Sequence, residues 1–435
     1  MAKALVMTVG TGTGGPDKVE SLKKALVQGI INSNPEKVYF VITEKSAELA
    51  KDIMAEKELK SRHAETLEIK DCDDFYSTYD KLKEEFRKIR ISYENVSLNY
   101  TSGTKTMASA SVVAAIICGF DQLEVIGGTG REGGIVKRGY ERPASFKTTR
   151  AIAEIVLNKE LVPMFNIYHF SHVKKKLEWI KGEIDIEWVD PLIHLVEAYD
   201  FWDKFNHVPA LESMKKGIEG LKGKIEDPFY RTVTNNRGFL DQICRAKGDL
   251  VEGAHDRLKL LKFFVADVIN NAERRAEEHK YDDAVARLYR AIEMLAEYEL
   301  LRFGFDIDSA KASFEKVNPG SEQLTAKWGS MISESGKLKI GLKDKYSLLK
   351  DLGSPAGSLY DDSLKRLLDK RNISILAHGI NPVGEEAYRS LMSKTIDMAS
   401  KFEGLSDLEK LRSMAKFPNL PESWFLELAI NWKCN

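Results

Sequence analysis

Arg371 and His378 stand seven residues apart in "RNISILAHG" (371–379). An arginine and a histidine at that spacing can do phosphate chemistry. A guanidinium stabilises charge on phosphoryl oxygens, and an imidazole moves a proton near neutral pH. Seven residues turn a helix through about 700°, which leaves the two side chains roughly 20° apart in azimuth and about 10 Å apart along the axis. Leu364, Leu367, Leu368, Arg371, Ile375 and His378 recur at three- and four-residue spacing. The pattern therefore predicts one helix with these residues on its inner face. A buried guanidinium and imidazole are costly unless paired or used. The plainer alternative is a histidine near a helix C-terminus closed by Gly379, where the dipole favours it.

Two glycine-rich loops offer a second chemistry. In "VGTGTGG" (9–15), Gly10, Gly12 and Gly15 satisfy the G-x-G-x-x-G spacing, with Thr11 and Thr13 between and after them. Glu44 lies where a ribose-binding acid would sit, so this loop alone predicts a dinucleotide site, although Pro16 and Asp17 delay the helix. In "NYTSGTKTM" (99–107), Ser102, Thr104 and Thr106 supply hydroxyls, Gly103 permits close backbone approach and Lys105 supplies charge. All fall where free N–H groups and the helix dipole attract an anion. An ordinary Ser/Thr helix cap is the alternative. Arg131 in "GGTGREGG" (127–134) is a further rim candidate.

The elements that position these residues follow from the hydrophobic pattern. Strands are predicted at 3–9, 37–43, 66–70, 96–100 and 123–128, with helices near 17–32, 46–57, 74–90 and 104–118. Alternation of this kind gives a parallel, doubly wound sheet. Its first and fourth strands are neighbours, so both loops open onto one crevice. "GIVKRGY" (134–140) reads as half of an edge hairpin. From about residue 148 long 3.6-periodic segments dominate, punctuated by Pro209, Pro228, Pro319 and Pro355. The expected fold class is α/β plus all-α: an N-terminal Rossmann-like parallel-sheet domain (1–148), a helical connector (149–265) and a C-terminal helical domain (266–435).

Composition bounds the partners. The 435 residues are 43% hydrophobic and 30% charged with net charge −1, which excludes a global basic field and confines any RNA site to a local patch. Cys72, Cys118, Cys244 and Cys434 form no CxxC pair, which argues against a zinc site or disulfide framework and suits a reducing cytoplasm. No apolar run is long enough to suggest a membrane span.

A Rossmann-like domain whose fourth strand runs into "TSGTKTM" resembles the CARF domains of CRISPR-associated proteins, and "RNISILAHG" resembles the R-x(4–6)-H motif of HEPN ribonucleases. Length and domain order match the CARF–HEPN ancillary ribonucleases of type III CRISPR systems. The resemblance implies a homodimer that binds cyclic oligoadenylate as an allosteric activator through Gly10, Thr11, Gly12, Thr13, Ser102, Gly103, Thr104, Lys105 and Thr106. It also implies metal-independent cleavage of single-stranded RNA by 2′-hydroxyl attack, with Arg371, Asn372 and His378 catalytic and one motif from each protomer. No cofactor is expected. Hydroxyls of Ser102 or Thr104 would also suit slow degradation of the activator.

Two other readings stand beside this one. An NAD-dependent oxidoreductase would use "GTGTGG" and Glu44 but leaves "TSGTKTM" and the Arg–His stripe unused. A non-enzymatic cyclic-nucleotide sensor would recruit a partner through its helical half. Arg290 and Glu293 read as an ion pair, Trp202, Asp203 and His207 as packing in the connector, and His169 and His172 as structural.

Overall fold

The computed structural model describes residues 3–12, 15–128, 131–132, 135–136, 141–183, 187–223, 227–251, 257–317, 322–375, 379–424 and 428. The chain divides into two compact units, Met1–Val156 and Leu157–Asn435.

In the first unit β1 (Lys3–Thr8), β2 (Lys37–Ile42), β3 (His63–Glu68), β4 (Asn95–Asn99) and β5 (Gln122–Gly128) pair in parallel in the order β3-β2-β1-β4-β5. Ala4, Leu5, Val6 and Met7 of β1 are all fully buried, because the strand is covered on both faces. Helices α1 (Pro16–Ser33) and α2 (Ala47–Met54) cover one face, packing Leu26, Ile30, Leu49 and Ile53 on Leu5, Met7 and Phe40. On the other face α3 (Phe75–Ser92) and α4 (Lys105–Ile117) bring Leu82, Phe86, Met107 and Ala114 onto Val6, Val96 and Leu98. The expected strands and helices of this half are present. The edge is different from expectation. The residues at 131–132 (β6) and 135–136 (β7) form a minimal hairpin of their own, while β8 (Glu141–Lys147) pairs antiparallel with β5. Pro143 in "ERPASFK" argues against a strand in sequence, but an edge strand tolerates it because one of its sides makes no ladder bonds.

The second unit is helical. Helices Val189–Asp203 and His207–Leu221 lie side by side, with the backbone of Phe205 in the left-handed region between them. A Cβ on Gly217 would fall 2.9 Å from the Leu195 amide nitrogen, so glycine lets these helices touch. Helix Arg257–Glu277 pairs with Tyr281–Arg302, against which Leu342–Asp351, Asp362–Asn372 and Glu385–Ser400 pack. Tyr199, Trp202, Phe239 and Phe417 stack in a fully or nearly fully buried aromatic core. Bonds run across position 265, where the sequence pattern suggests a domain change: Trp202 Nε1 donates to Asp267 Oδ1 at 3.1 Å. Among the described residues no helix is long and apolar enough to cross a membrane.

Asn236, fully buried, ties this unit to its last segment. Its Nδ2 donates to the carbonyls of Met414 (2.8 Å) and Lys416 (2.9 Å), and its Oδ1 accepts from Tyr199 Oη at 2.8 Å. Asn236→Ala strands a buried phenol and two part-buried carbonyls, so its expected cost is about 1–3 kcal/mol, read as a lower urea midpoint in chemical denaturation.

Candidate functional site

The two loops predicted to share a crevice do meet. β1 and β4 are paired neighbours, with Met7 opposite Asn99, so the loops leave the sheet side by side. Ser102 Oγ accepts the Gly10 N–H at 3.1 Å and donates to the Thr8 carbonyl at 2.8 Å, while Thr8 Oγ1 donates to the Ser102 carbonyl. The backbones are so close that a Cβ on Gly10 would lie 2.7 Å from the Gly103 amide nitrogen. Gly103 itself has φ +105°, a conformation that L side chains rarely adopt.

These bonds sort the expected ligand-binding residues. The Ser102 proton is engaged in joining the loops. Thr104 caps α4 by accepting the Met107 N–H at 3.1 Å, and its own proton goes to the Cys72 carbonyl at 3.0 Å. Both hydroxyls therefore build the frame. The groups left for an anion are the N–H groups of Lys105 and Thr106 in the first turn, the exposed Lys105 ammonium and the Thr106 hydroxyl, which makes no hydrogen bond among the described residues. Thr11 is exposed and Gly12 has φ +71° on the facing loop. Thr13 lies outside the described residues. Thr8, the partner of Ser102, was not singled out by sequence, since nothing in "VMTVG" marks a strand-end threonine as a clamp.

At the second candidate site the helix is shorter than the periodicity predicts. Helix Asp362–Asn372 ends with the Ile373 N–H bonded to the Asp369 carbonyl at 3.1 Å, and Ser374 then pairs in a bridge with Asn381. Leu364 and Leu368 are buried as expected, but Ile375 is 60% exposed and does not continue the stripe. Ile373 leaves the helix at φ −89° and ψ 7°, and the Ser374–Asn381 bridge then commits the backbone to a different partner. Arg371 thus sits in a last helical turn, and His378 lies outside the described residues.

Arg371 is held without being neutralised. Its Cζ lies 4.6 Å from the centroid of the Tyr289 ring, and Nη1 donates to Asn372 Oδ1 at 3.3 Å. No carboxylate pairs with it among the described residues. Several arginines of this unit are held differently: Arg274, Arg275, Arg290, Arg302 and Arg412 each pair with at least one acid. Sequence reasoning missed Tyr289, which lies 82 positions upstream on a separate helix. Only the crossing of the two helices brings it under the guanidinium.

Arg290 and Glu293, expected as an ion pair, belong to a four-charge cluster. Arg290 bonds Glu293 and Glu297 at 2.9 Å each, and buried Lys345 reaches Glu293 at 2.8 Å and Glu297 at 2.7 Å. Burial pushes the Glu297 carboxyl up, but hydrogen bonds from Arg290 and Lys345 outweigh it and hold the group below its usual range. A second, mostly buried polar set accompanies the aromatic packing expected around Trp202 and His207, where His207 meets Phe205 and Phe264. His207 Nε2 lies 2.7 Å from Asp267 Oδ2, Lys247 Nζ lies 2.7 Å from His207 Nδ1, and Asp203 is paired with Arg274 and Arg275 instead.

Two outcomes follow from this geometry. Gly10→Ala is expected to push the loops apart and weaken anion-ligand binding at least about tenfold, read by calorimetric titration, with the clash rather than lost charge as the cause. Glu297→Gln leaves Lys345 partly uncompensated and costs about 3–5 kcal/mol at pH 7. Because the folded-state pKa of Glu297 is depressed, its stabilisation is full above the unfolded value and fades as pH falls through the folded one. Denaturation curves of the variant and parent are therefore expected to converge in acid.

The family model of the Csm6 HEPN domain matches residues 254–402, a span that contains Arg371 and Asn372. Among solved structures the chain is similar to Enterococcus italicus Csm6 bound to cyclic hexa-2′-fluoro-hexa-dAMP, at 12% identity and TM-score 0.49, covering 99% of this chain and 98% of that one. No curated protein matches the sequence. Residues 254–402 are therefore a segment of the Csm6 HEPN kind, in a chain whose other unit is a doubly wound α/β sheet.

Proposed function

We propose that the chain is a cyclic-oligoadenylate-activated endoribonuclease of type III CRISPR defence that cuts single-stranded RNA without a metal. The observation that carries this reading is Arg371, an uncompensated guanidinium inside a Csm6-type HEPN segment. In RNA the nucleophile is already present. The 2′-oxygen attacks the adjacent phosphorus, the bond to the 5′-oxygen breaks, and a proton passes from the 2′-hydroxyl to the leaving oxygen. His378 is the group assigned to that proton, and Arg371 stabilises charge on the phosphorane. The products are a 2′,3′-cyclic phosphate and a 5′-hydroxyl.

The partner in this reading is a second copy of the chain. Ile373, Ile375 and Ile380 are 59%, 60% and 85% exposed around the Arg371 motif, an apolar surface that a twin motif would cover. The activator binds the loop pair of the α/β unit, where Lys105, the first-turn N–H groups of α4 and the glycines of the facing loop accept phosphates. Any slow breakdown of the activator falls to its own 2′-hydroxyls held against those groups, since Ser102 and Thr104 have their protons engaged. Activation changes the arrangement of the two Arg/His sets.

The test is cleavage of a fluorescent single-stranded RNA in EDTA, with and without cyclic tetra- and hexaadenylate. Parent protein is expected to cut only with one ring size, and Arg371→Ala and His378→Ala to lose about 10²–10³-fold in rate while still binding the activator. Cleavage that ignores every ring size removes the sensor assignment. Unaltered cleavage by Arg371→Ala removes the active-site assignment.

A further inference from the structure

We infer that Tyr289 is the positioning residue for the Arg371 guanidinium, a role that rests on the reading of Arg371 as the phosphate-stabilising group. An arginine that must meet a developing dianion faces two demands. It has to be held in one orientation, because a freely rotating side chain loses much of its value as a preorganised donor. It must also keep its charge, and a carboxylate partner, the usual way to fix an arginine, would cancel that charge. An aromatic face satisfies both, attracting the cation through its quadrupole while adding no formal charge.

The structure has this arrangement. The Tyr289 ring lies 4.6 Å from Arg371 Cζ, and Asn372 Oδ1 takes one Nη1 hydrogen bond, so the guanidinium is held from a face and from an edge. The helix that carries the ring is itself anchored. Leu288, Ile292 and Leu295 on the same helix are fully buried. The next residue, Arg290, is tied through Glu293 and Glu297 to Lys345 on helix Leu342–Asp351. That charge cluster fixes the turn carrying Tyr289 without placing an acid on Arg371. Tyr289 and Arg371 are both half-buried.

The experiment measures activator-saturated RNA cleavage by the full-length chain, as kcat and KM, for the parent, Tyr289→Phe, Tyr289→Leu and Arg371→Ala. Melting temperature is recorded for each. Tyr289→Phe is expected to stay within about twofold of the parent, because the ring remains. Tyr289→Leu is expected to lose about tenfold or more in kcat with KM little changed, as for an interaction realised only in the transition state. Tyr289→Gln serves in its place where Tyr289→Leu does not fold. Parent-like kcat in a folded Tyr289→Leu or Tyr289→Gln protein overturns the inference, provided Arg371→Ala is inactive. Equal losses in Tyr289→Phe and Tyr289→Leu also overturn it, since the hydroxyl and not the ring face would then matter. Full activity of Arg371→Ala overturns the underlying reading, whatever Tyr289 does.

Discussion

A charge taken out of water has to be compensated, and the helical unit is organised around that requirement. Asp267 is fully buried and receives hydrogen bonds from Trp202 and His207. Asp203 is shared by Arg274 and Arg275, and Glu297 by Arg290 and Lys345. Each set links helices far apart in sequence, so the demand for compensation fixes their register as firmly as the aromatic core does. Arg371 departs from the rule. It has a ring and an amide where those groups have carboxylates, and in the proposed reading its charge is kept for a phosphate.

The same logic applies at the α/β unit with backbone groups in place of side chains. The carboxyl ends of β1 and β4 are neighbours, and the glycines let their loops approach until Gly10 lies against Gly103. Hydroxyls of Thr8, Ser102 and Thr104 are engaged inside the frame, and in the proposed reading the first-turn N–H groups face the anion. Rigid scaffolding and unsatisfied donors are thus assigned to different residues of one short motif. For the proposed activator that division would give a preorganised site at little cost in reorganisation.

Much of this was legible in the linear sequence. Strand and helix alternation, the apolar strands, the two glycine loops and the Arg–His spacing are local patterns, set by steric rules and by the period of each element. They identified the doubly wound sheet and the residues worth watching. The antiparallel edge strand containing Pro143 was not legible, because edge pairing depends on which side of a strand faces its neighbour. The helix carrying Arg371 was overextended for a related reason: periodicity continued through Ile375, while the helix ends at Asn372 and Ser374 bridges to Asn381.

By itself, then, the sequence determined which residues are candidates for chemistry and most of the elements that carry them, since both follow from side-chain type and spacing within a few turns. Tertiary structure decided which of those groups are engaged and which are left over. Whether Ser102 keeps its proton for a ligand, whether Arg290 is a lone pair-former or part of a four-charge cluster, and whether Arg371 meets an acid or the face of Tyr289 all depend on contacts between distant segments. Such contacts are set by packing and by the compensation of buried charge, neither of which has a local signature.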